Sequence, residues 1–236
     1  MKSSEIKSML DKRYAKIQRY PASFIDFDPI QFPRRYTEVE DIVVSAFCTG
    51  FVSFGNRKAI LKKAEEIDKM FRDAGGPYMW LREKGFSFPY DDRCFYRMLT
   101  NKDFIALICC LFLTCEIAYS YDYMKNADFF KNHSKCKDQY LFGKPNTVNK
   151  RLNMILRWLV RKDEIDMGVL GFKPSELLMP VDVHVRDVAL FLWPDLPKTV
   201  NHNFVVKLTD RLREFDEDDP VKYDLALFSL GEDKTI

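Results

Sequence analysis

Residues 147–162, TVNKRLNMILRWLVRK, repeat their apolar side chains at the spacing of an α-helix. The apolar stripe consists of Leu152, Ile155, Leu156 and Leu159. Apolar residues three and four positions apart lie on one face of a helix and indicate burial of that face. Because threonine is a common N-cap, this segment predicts an amphipathic helix that Thr147 caps and that runs to about Lys162.

The same period recurs on both sides of this helix, whereas glycine is scarce and hairpin turn signals are few. Prolines at 21, 29 and 33 indicate an extended connection, and Lys125 to Lys144 is polar and predicted to be irregular. The other predicted helices run to about Tyr20, from Val39 to Phe54, Ala59 to Phe71, Asp103 to Tyr121, Asp182 to Pro194, Asn201 to Phe215 and Asp219 to Gly231. We expect one all-α domain spanning residues 1–236, with eight or more helices.

Composition favours a folded protein with a substantial core, since 47% of the 236 residues are hydrophobic. The net charge is only +2, so a nucleic-acid surface would have to arise from local clustering. The six cysteines fit no zinc pattern and are interpreted as reduced, mainly structural thiols. Met1 to Lys16 lacks the apolar stretch of a signal peptide, and the apolar run from Phe104 to Cys115 is shorter than the roughly 20 residues of a membrane span. We therefore expect a cytoplasmic protein.

Lys150 is the first candidate for chemistry because it falls in the opening turn of a predicted helix. The positive end of the helix dipole and partial burial both disfavour a charged amine there. An uncharged amine can attack C1′ of a nucleotide or form a Schiff base. The alternative is an ordinary solvated lysine at a helix start.

The same predicted helix carries a basic stripe formed by Lys150, Asn153, Arg157 and Arg161. This stripe is interpreted either as a phosphate-contacting face or as a solvated helix face.

Asp182 lies in Pro180-Val181-Asp182-Val183-His184-Val185 and is placed to cap a helix that Pro194 ends. A carboxylate fixed at a helix start is also suited to stabilising an oxocarbenium-like sugar cation. The two interpretations are compatible.

A separate break at Gly55-Asn56-Arg57-Lys58 exposes backbone N–H groups and basic side chains that suit a phosphate. The alternative interpretation of this break is a plain helix–helix corner.

The segment around Asp182 resembles the catalytic aspartate segment of helix-hairpin-helix DNA glycosylases, especially 8-oxoguanine DNA glycosylases. Lys150, in Asn146-Thr147-Val148-Asn149-Lys150, is similar to the catalytic lysine of that family, and its separation of 32 residues from Asp182 resembles the archaeal branch. The chain from Val39 to Gly231 also resembles a bacterial family related to these glycosylases. The resemblance implies a fold of two helical lobes with a cleft between them, and a catalytic pair of Lys150 and Asp182.

Further site residues follow from the same resemblance. Arg157, Asp224 and Phe228 match residues that line the pocket for the flipped base, where an aromatic ring stacks on the base and a carboxylate accepts hydrogen bonds. The residues expected to contact DNA are Asn56, Arg57, Asn146 and His184. Asn146 and Val148 stand where the family has hairpin glycines; asparagine tolerates the left-handed conformation that such a turn requires. The four-cysteine iron–sulfur motif of some relatives is absent, so no cofactor is expected.

The resemblance implies a monomeric base-excision repair enzyme, a glycosylase with lyase activity on duplex DNA that carries an oxidised purine such as 8-oxoguanine. One alternative is a nucleic-acid-binding module without catalysis, favoured by the missing hairpin glycines. A second is a metal-dependent hydrolase that uses Asp182, His184 and Asp187 as ligands. No membrane partner is expected.

Overall fold

A computed structural model describes residues 2–117, 135–136, 139–142, 144 and 146–233. Helices dominate this part of the chain, as the sequence predicts. The chain divides into two compact units, each formed from segments that are separate in sequence. The first unit comprises Met1–Asp26, Gly143–Gly168 and Phe172–Ile236, and the second comprises Phe27–Phe142 and Val169–Gly171.

The helices and strands alternate with short 3₁₀ turns. The helices are α1 (Ser3–Arg19), α2 (Ala22–Ile25), α3 (Val39–Phe51), α4 (Arg57–Arg72), α5 (Pro77–Glu83), α6 (Asn101–Ile117), α7 (Lys150–Val160), α8 (Val183–Leu192), α9 (His202–Arg213) and α10 (Tyr223–Glu232). The strands are β1 (Cys94–Tyr96), β2 (Leu99–Thr100), β3 (Lys135–Cys136) and β4 (Gln139–Tyr140). They form two antiparallel pairs, β1 with β2 and β3 with β4.

In the first unit, α10 is the central element and packs against both α8 and α1. Its residues from Tyr223 to Leu227 are all buried, which is the all-round burial expected of a core helix. Gly231 permits the close approach of α8, because a Cβ atom at this position would lie only 2.8 Å from the Cβ atom of His184. A side chain at 231 is therefore incompatible with the present spacing of the two helices.

In the second unit, α3 is buried along nearly its whole length, from Ile42 to Phe51. An aromatic cluster surrounds Phe104 of α6, whose ring stacks on that of Phe95 with 4.1 Å between centroids. Trp80 and Phe88 also contact the Phe104 ring. Large aromatic side chains bury much apolar area at little entropic cost and so dominate a core of this kind.

Most predicted helices are confirmed, with ends that differ by a few residues. The expected extended connection after Pro21 is wrong in detail, because it contains α2 and the 3₁₀ turns Pro29–Gln31 and Pro33–Arg35. Proline suits the first position of such turns, where no N–H donor is needed. The β1–β2 pair was not predicted, and the β3–β4 pair contradicts the prediction that the chain is irregular around residues 135–140. The end of the helix predicted to reach Tyr121, and most of the segment predicted to be irregular, lie outside the described residues.

None of the helices in the described ranges combines the length and the apolar character needed to cross a membrane. Cys48, Cys94, Cys109 and Cys110 form no disulfides. The predictions for Cys115 and Cys136 fall outside the described side chains.

Candidate functional site

Lys150 is the first residue of α7, because Asn149 before it adopts a left-handed conformation, with φ 45° and ψ 37°. Asparagine is one of the few residues that enter this region at modest cost. The side chain of Lys150 is half-buried. Two predictions are corrected here: Asn149 rather than Thr147 occupies the N-cap position, and the left-handed residue is Asn149 rather than Asn146.

Thr147 and Asn146 stabilise the loop before α7 instead. The hydroxyl oxygen of Thr147 lies 2.8 Å from the carbonyl oxygen of Lys144 and 2.9 Å from Oδ1 of Asn149. The backbone carbonyl of Asn146 accepts a hydrogen bond from the N–H of His202, at 3.3 Å. The side chain of Asn146 is exposed. The loop is thus fixed by its own side chains and by the start of α9.

Asn153, one turn into α7, connects the segment of Lys150 to the segment of Asp182. Its buried side-chain amide donates hydrogen bonds to the carbonyl oxygens of Val148, at 3.2 Å, and Met179, at 3.3 Å. The N–H of Met179 in turn donates to the hydroxyl of Thr209, at 3.1 Å. Buried amides and carbonyls need partners to offset their desolvation, so these bonds fix both segments relative to α7.

Asp182 is the N-cap of α8, as the sequence predicts. Its Oδ1 accepts a hydrogen bond of 3.0 Å from the N–H of Val185, and its backbone is extended. A cap of this kind contributes about 1 kcal/mol to stability. The bond uses one carboxylate oxygen and holds the group at the positive end of the helix, where a negative charge is favoured.

Arg157 and Asp224 form a buried ion pair between α7 and α10. The pair joins Nη1 of Arg157 to Oδ2 of Asp224, and both side chains are less than a tenth exposed. Burial raises the pKa of the Asp224 carboxyl to about 6, while the positive charge of Arg157 opposes that rise. The two residues predicted to line one pocket therefore bind each other directly.

The charges of Lys150 and Asp182 also act on Asp224. Burial and the charge of Arg157 have the largest effects on the pKa of Asp224. Next in size, the negative charge of Asp182 raises this pKa and the positive charge of Lys150 lowers it. The influence of a charge falls off with distance and with screening by solvent, so charges that act on Asp224 lie near it. Lys150, Arg157, Asp182 and Asp224 therefore form one electrostatic group, called the Lys150 cluster below.

The predicted basic stripe on α7 is wrong, because three of its four members are buried. Asn153, Arg157 and Arg161 are 8%, 3% and 1% exposed, so they face neither solvent nor a phosphate backbone. Arg161 instead pairs with three carboxylates, of Asp163, Asp166 and Asp219. Buried arginines require such partners because an unpaired charge in the interior is strongly destabilising.

Asp166 is a functional candidate that the sequence analysis missed. Its carboxylate is fully buried, pairs with Nη1 of Arg161 and lies 3.3 Å from Nε of Arg157. Burial raises the pKa of Asp166 to about 6, and the two arginines oppose that rise. The only feature of the sequence near Asp166 that relates it to this network is its spacing of five residues from Arg161. That spacing indicates nothing about whether Asp166 is buried.

His184 and Phe228 contact each other in the first unit, on α8 and α10. Their rings meet edge to face with 5.7 Å between centroids, and Phe228 makes a similar contact with Phe24 at 6.4 Å. His184 is exposed, whereas Phe228 is partly buried. The arrangement places a partly accessible aromatic ring one turn of α10 after Asp224.

Asn56 and Arg57 belong to the second unit, at the start of α4. The side-chain oxygen of Asn56 accepts hydrogen bonds from the N–H groups of Lys58, at 2.9 Å, and Ala59, at 3.4 Å. The exposed Asn56 is thus the N-cap of α4, and it occupies two of the backbone donors that were predicted to be open to a phosphate. Gly55, with φ 95°, lets the chain turn into this cap.

The residues proposed for a metal-dependent hydrolase do not converge. Asp182 caps α8, the ring of His184 contacts Phe228, and Asp187 pairs with the neighbouring Arg186 at 2.7 Å. In the part of the chain that the structure describes, no three histidine, cysteine, aspartate or glutamate side chains are grouped to hold a metal ion.

Comparisons with known proteins place the chain in a family without assigning an activity to it. Neither the curated proteins nor the solved structures contain a match. One family model, described as a protein of unknown function (DUF2400), matches residues 28–233. Because this match spans most of the chain, the protein belongs to the DUF2400 family.

Proposed function

We propose that the protein is a DNA base-excision glycosylase with lyase activity, with the glycosylase-like fold that its motifs imply. Its substrate would be duplex DNA that carries an oxidised purine such as 8-oxoguanine. The observation that carries the proposal is the Lys150 cluster, in which the charges of Lys150 and Asp182, from distant segments, both act on the carboxyl of Asp224. Resemblance of the Lys150 and Asp182 segments to the catalytic segments of these glycosylases supplies the reaction type.

In this reaction, the unprotonated amine of Lys150 attacks C1′ of the damaged nucleotide as the glycosidic bond breaks. The base leaves with the electron pair of that bond and takes up a proton, while the amine loses one. Opening of the sugar then gives a Schiff base, from which β-elimination cleaves the strand. Asp182, held by the N–H of Val185, provides the carboxylate that stabilises the cationic sugar.

The base would be recognised by Asp224 and Phe228, which lie one turn apart on α10. The carboxylate of Asp224 accepts hydrogen bonds from the edge of the base, and the ring of Phe228 stacks on its face. Arg157 is bound to two buried carboxylates, so its role is to hold Asp224 rather than to reach the base. Asn56, Arg57, Asn146 and His184 would contact the DNA around the lesion.

Borohydride trapping on a duplex with a single 8-oxoguanine tests the proposal. We expect a covalent adduct with the wild type and none with Lys150→Gln. Lys162→Gln, which changes an exposed lysine beyond the end of α7, is the matched control and should trap normally. Asp182→Asn keeps a capping side chain but loses the charge, and it should trap much more slowly. No adduct with the wild type across a panel of oxidised purines, or equal adducts with Lys150→Gln, would show that the proposal is wrong.

The second candidate is a nucleic-acid-binding protein without catalysis. The observation that favours it is Val148, which occupies the sequence position of a hairpin glycine in the glycosylases that the motifs resemble; a side chain there keeps the backbone farther from a phosphate. Tight, salt-sensitive binding to duplex DNA without base release from any lesion would select this function.

A further inference from the structure

The β1–β2 hairpin packs on the turn that precedes α4. The hydroxyl of Tyr96 donates a hydrogen bond of 2.8 Å to the carbonyl oxygen of Phe54, and the two rings meet edge to face with 5.2 Å between centroids. Nζ of Lys63, on α4, lies 4.2 Å from the centre of the Phe95 ring of β1. These contacts, all within the second unit, fix the hairpin against the first two turns of α4.

Arg97 and Met98 form the two-residue loop of this hairpin, between the paired residues Tyr96 and Leu99. Arg97 has φ 53°, a left-handed conformation that glycine or asparagine normally supplies in such a loop. Its side chain lies over Gly55, where an added Cβ atom would be only 2.8 Å from Nη1 of Arg97. The side chain of Met98 is 75% exposed. The loop thus combines backbone strain, which is common at functional sites, with a large apolar side chain that contributes little to the core.

The basic side chains beside this loop have no counter-charge. Arg97, Lys58 and Lys62 are exposed, and none of them forms an ion pair with any residue that the structure describes. The carboxylates that follow on α4 or precede β1 are paired with other residues: Glu65 with Arg35 and Arg72, Glu66 with Lys63, Asp91 with Arg93, and Asp92 with Lys102. Arg97, Met98, Lys58 and Lys62, called the hairpin surface below, therefore form a positively charged surface.

The charges of the hairpin surface form a row. Lys58 and Lys62 lie about one turn apart on α4, roughly 6 Å along its axis. The side chain of Arg97 lies over Gly55, which precedes Lys58 in the chain. A row of positive charges at this interval suits the regularly repeated phosphates of a nucleic acid better than it suits one small anion.

The side chains of the hairpin favour a duplex over a single strand. Proteins that bind single strands stack the bases on exposed aromatic rings, whereas Phe95 and Tyr96 are buried. The loop instead offers an arginine beside an exposed methionine. Arginine together with an apolar side chain is typical of proteins that contact the minor groove of duplex DNA.

We propose that the hairpin surface binds duplex DNA, with Lys58 and Lys62 on the phosphates of one strand and the Arg97–Met98 loop at the edge of the minor groove. The inference rests on the proposed function for its ligand, but it requires neither a lesion nor the chemistry of Lys150. It assigns a binding role to Arg97, Met98 and Lys62, which the sequence analysis did not single out.

Fluorescence anisotropy with an undamaged, labelled duplex tests the charges when it is repeated at several salt concentrations. One phosphate contact contributes about 0.9 to the slope of log K against log salt, so Lys62→Gln should lower the slope by about that much and bind about eightfold more weakly at about 0.1 M salt. Lys69→Gln is the matched control, because it removes the same charge from the last turn of α4, where Lys69 already pairs with Asp73. Its slope should stay close to that of the wild type. Equal losses in the two variants, or no loss in Lys62→Gln, overturn the inference.

Two substitutions test the loop. Arg97→Asn removes the charge with a residue that tolerates the positive φ, so it should keep the fold while it lowers both the affinity and the salt slope. Met98→Ser should bind about tenfold more weakly with an unchanged slope, because the methionine adds apolar contact and no charge. Met98 is largely exposed, so this change should leave the melting temperature unaltered. Wild-type affinity in both variants overturns the role of the loop.

Two other ligands decide the class of partner. The wild type should bind a single strand of the same sequence, and vesicles that contain phosphatidylserine, more weakly than it binds the duplex. Tighter binding to either one, with the same dependence on Met98 and Lys62, overturns the assignment to duplex DNA.

The undamaged duplex also separates this inference from the proposed function. If borohydride trapping fails but Lys62→Gln and Met98→Ser weaken binding, the hairpin surface stands and the chemistry proposed for Lys150 is wrong. If trapping succeeds and these variants bind as the wild type does, the inference about the hairpin is wrong and the proposed function stands. If the wild type does not bind duplex DNA, both are wrong.

Discussion

Gly231→Ala is expected to destabilise the protein, although alanine is the better helix former. The new Cβ atom would lie 2.8 Å from the Cβ atom, 3.0 Å from the carbonyl oxygen and 3.1 Å from the carbonyl carbon of His184. None of these atoms can rotate away, so α8 and α10 would have to separate by about 0.7 Å to reach ordinary carbon–carbon contact. Overpacking of this kind costs about 1–3 kcal/mol, and the helix preference of alanine returns about 1 kcal/mol. The net loss should be at most about 2 kcal/mol.

Urea unfolding and thermal melting measure this loss, which corresponds to a fall in Tm of up to about 8 °C for a chain of this size. The matched control is Gly171→Ala, where a Cβ atom would meet nothing within 4 Å. That variant should be unchanged or slightly more stable, because alanine restricts the unfolded chain. If Gly231→Ala proves as stable as Gly171→Ala, then α8 and α10 do not approach each other as described.

Four further predictions concern the Lys150 cluster and its supports. Asp182→Ala should cost about 1 kcal/mol in urea unfolding, whereas Asp182→Asn should stay within a few tenths, since only alanine removes the cap; equal losses would contradict the cap. Arg157→Met should cost about 3–5 kcal/mol at neutral pH by leaving buried carboxylates unpaired, and a loss below about 1 kcal/mol would refute the buried pair. Burial raises the pKa of Asp224 to about 6, so the Asp224 carboxyl of the folded protein binds more protons than the same carboxyl of the unfolded chain. The stability of the wild type relative to Asp224→Asn should therefore rise as pH falls from 7 toward 4, by at most about 1.4 kcal/mol per pH unit, and a constant difference would contradict that. Asn149→Gly should be tolerated in a melting experiment, whereas Asn149→Val should cost about 1–3 kcal/mol in the left-handed conformation; equal melting points would argue against that conformation.

The helices that carry the Lys150 cluster could be predicted because their signals are local. The apolar stripe of α7 and the capping residue Asp182 of α8 each depend on neighbours within one or two turns. The sequence places the N-cap of α7 two residues too early, at Thr147 instead of Asn149, since a threonine that suits an N-cap is used here to fix the preceding loop. The β1–β2 pair escaped prediction because its turn has Arg97 at φ 53°, where a glycine or asparagine signal is normal.

The buried ion network could not be predicted, since its partners lie far apart in sequence. Arg157 and Asp224 are 67 residues apart, and Arg161 and Asp219 are 58 apart. A regular spacing of arginines on a helix is the same whether that face meets water or carboxylates of another helix. Tertiary packing decides between the two, and it overrides the local pattern at α7.

The side-chain amide of Asn153 has a consequence for how this chain can diverge. Its hydrogen bonds to Val148 and Met179 fix the loop before Lys150 and the segment before Asp182 to the same turn of α7. The spacing of the two residues in space is therefore independent of the path of the chain between them. Insertions or deletions between residues 171 and 176, which are not buried, should be tolerated during evolution as long as position 153 keeps an amide. Position 153, and not the interval of 32 residues, is then the feature by which distant members with the same arrangement can be recognised.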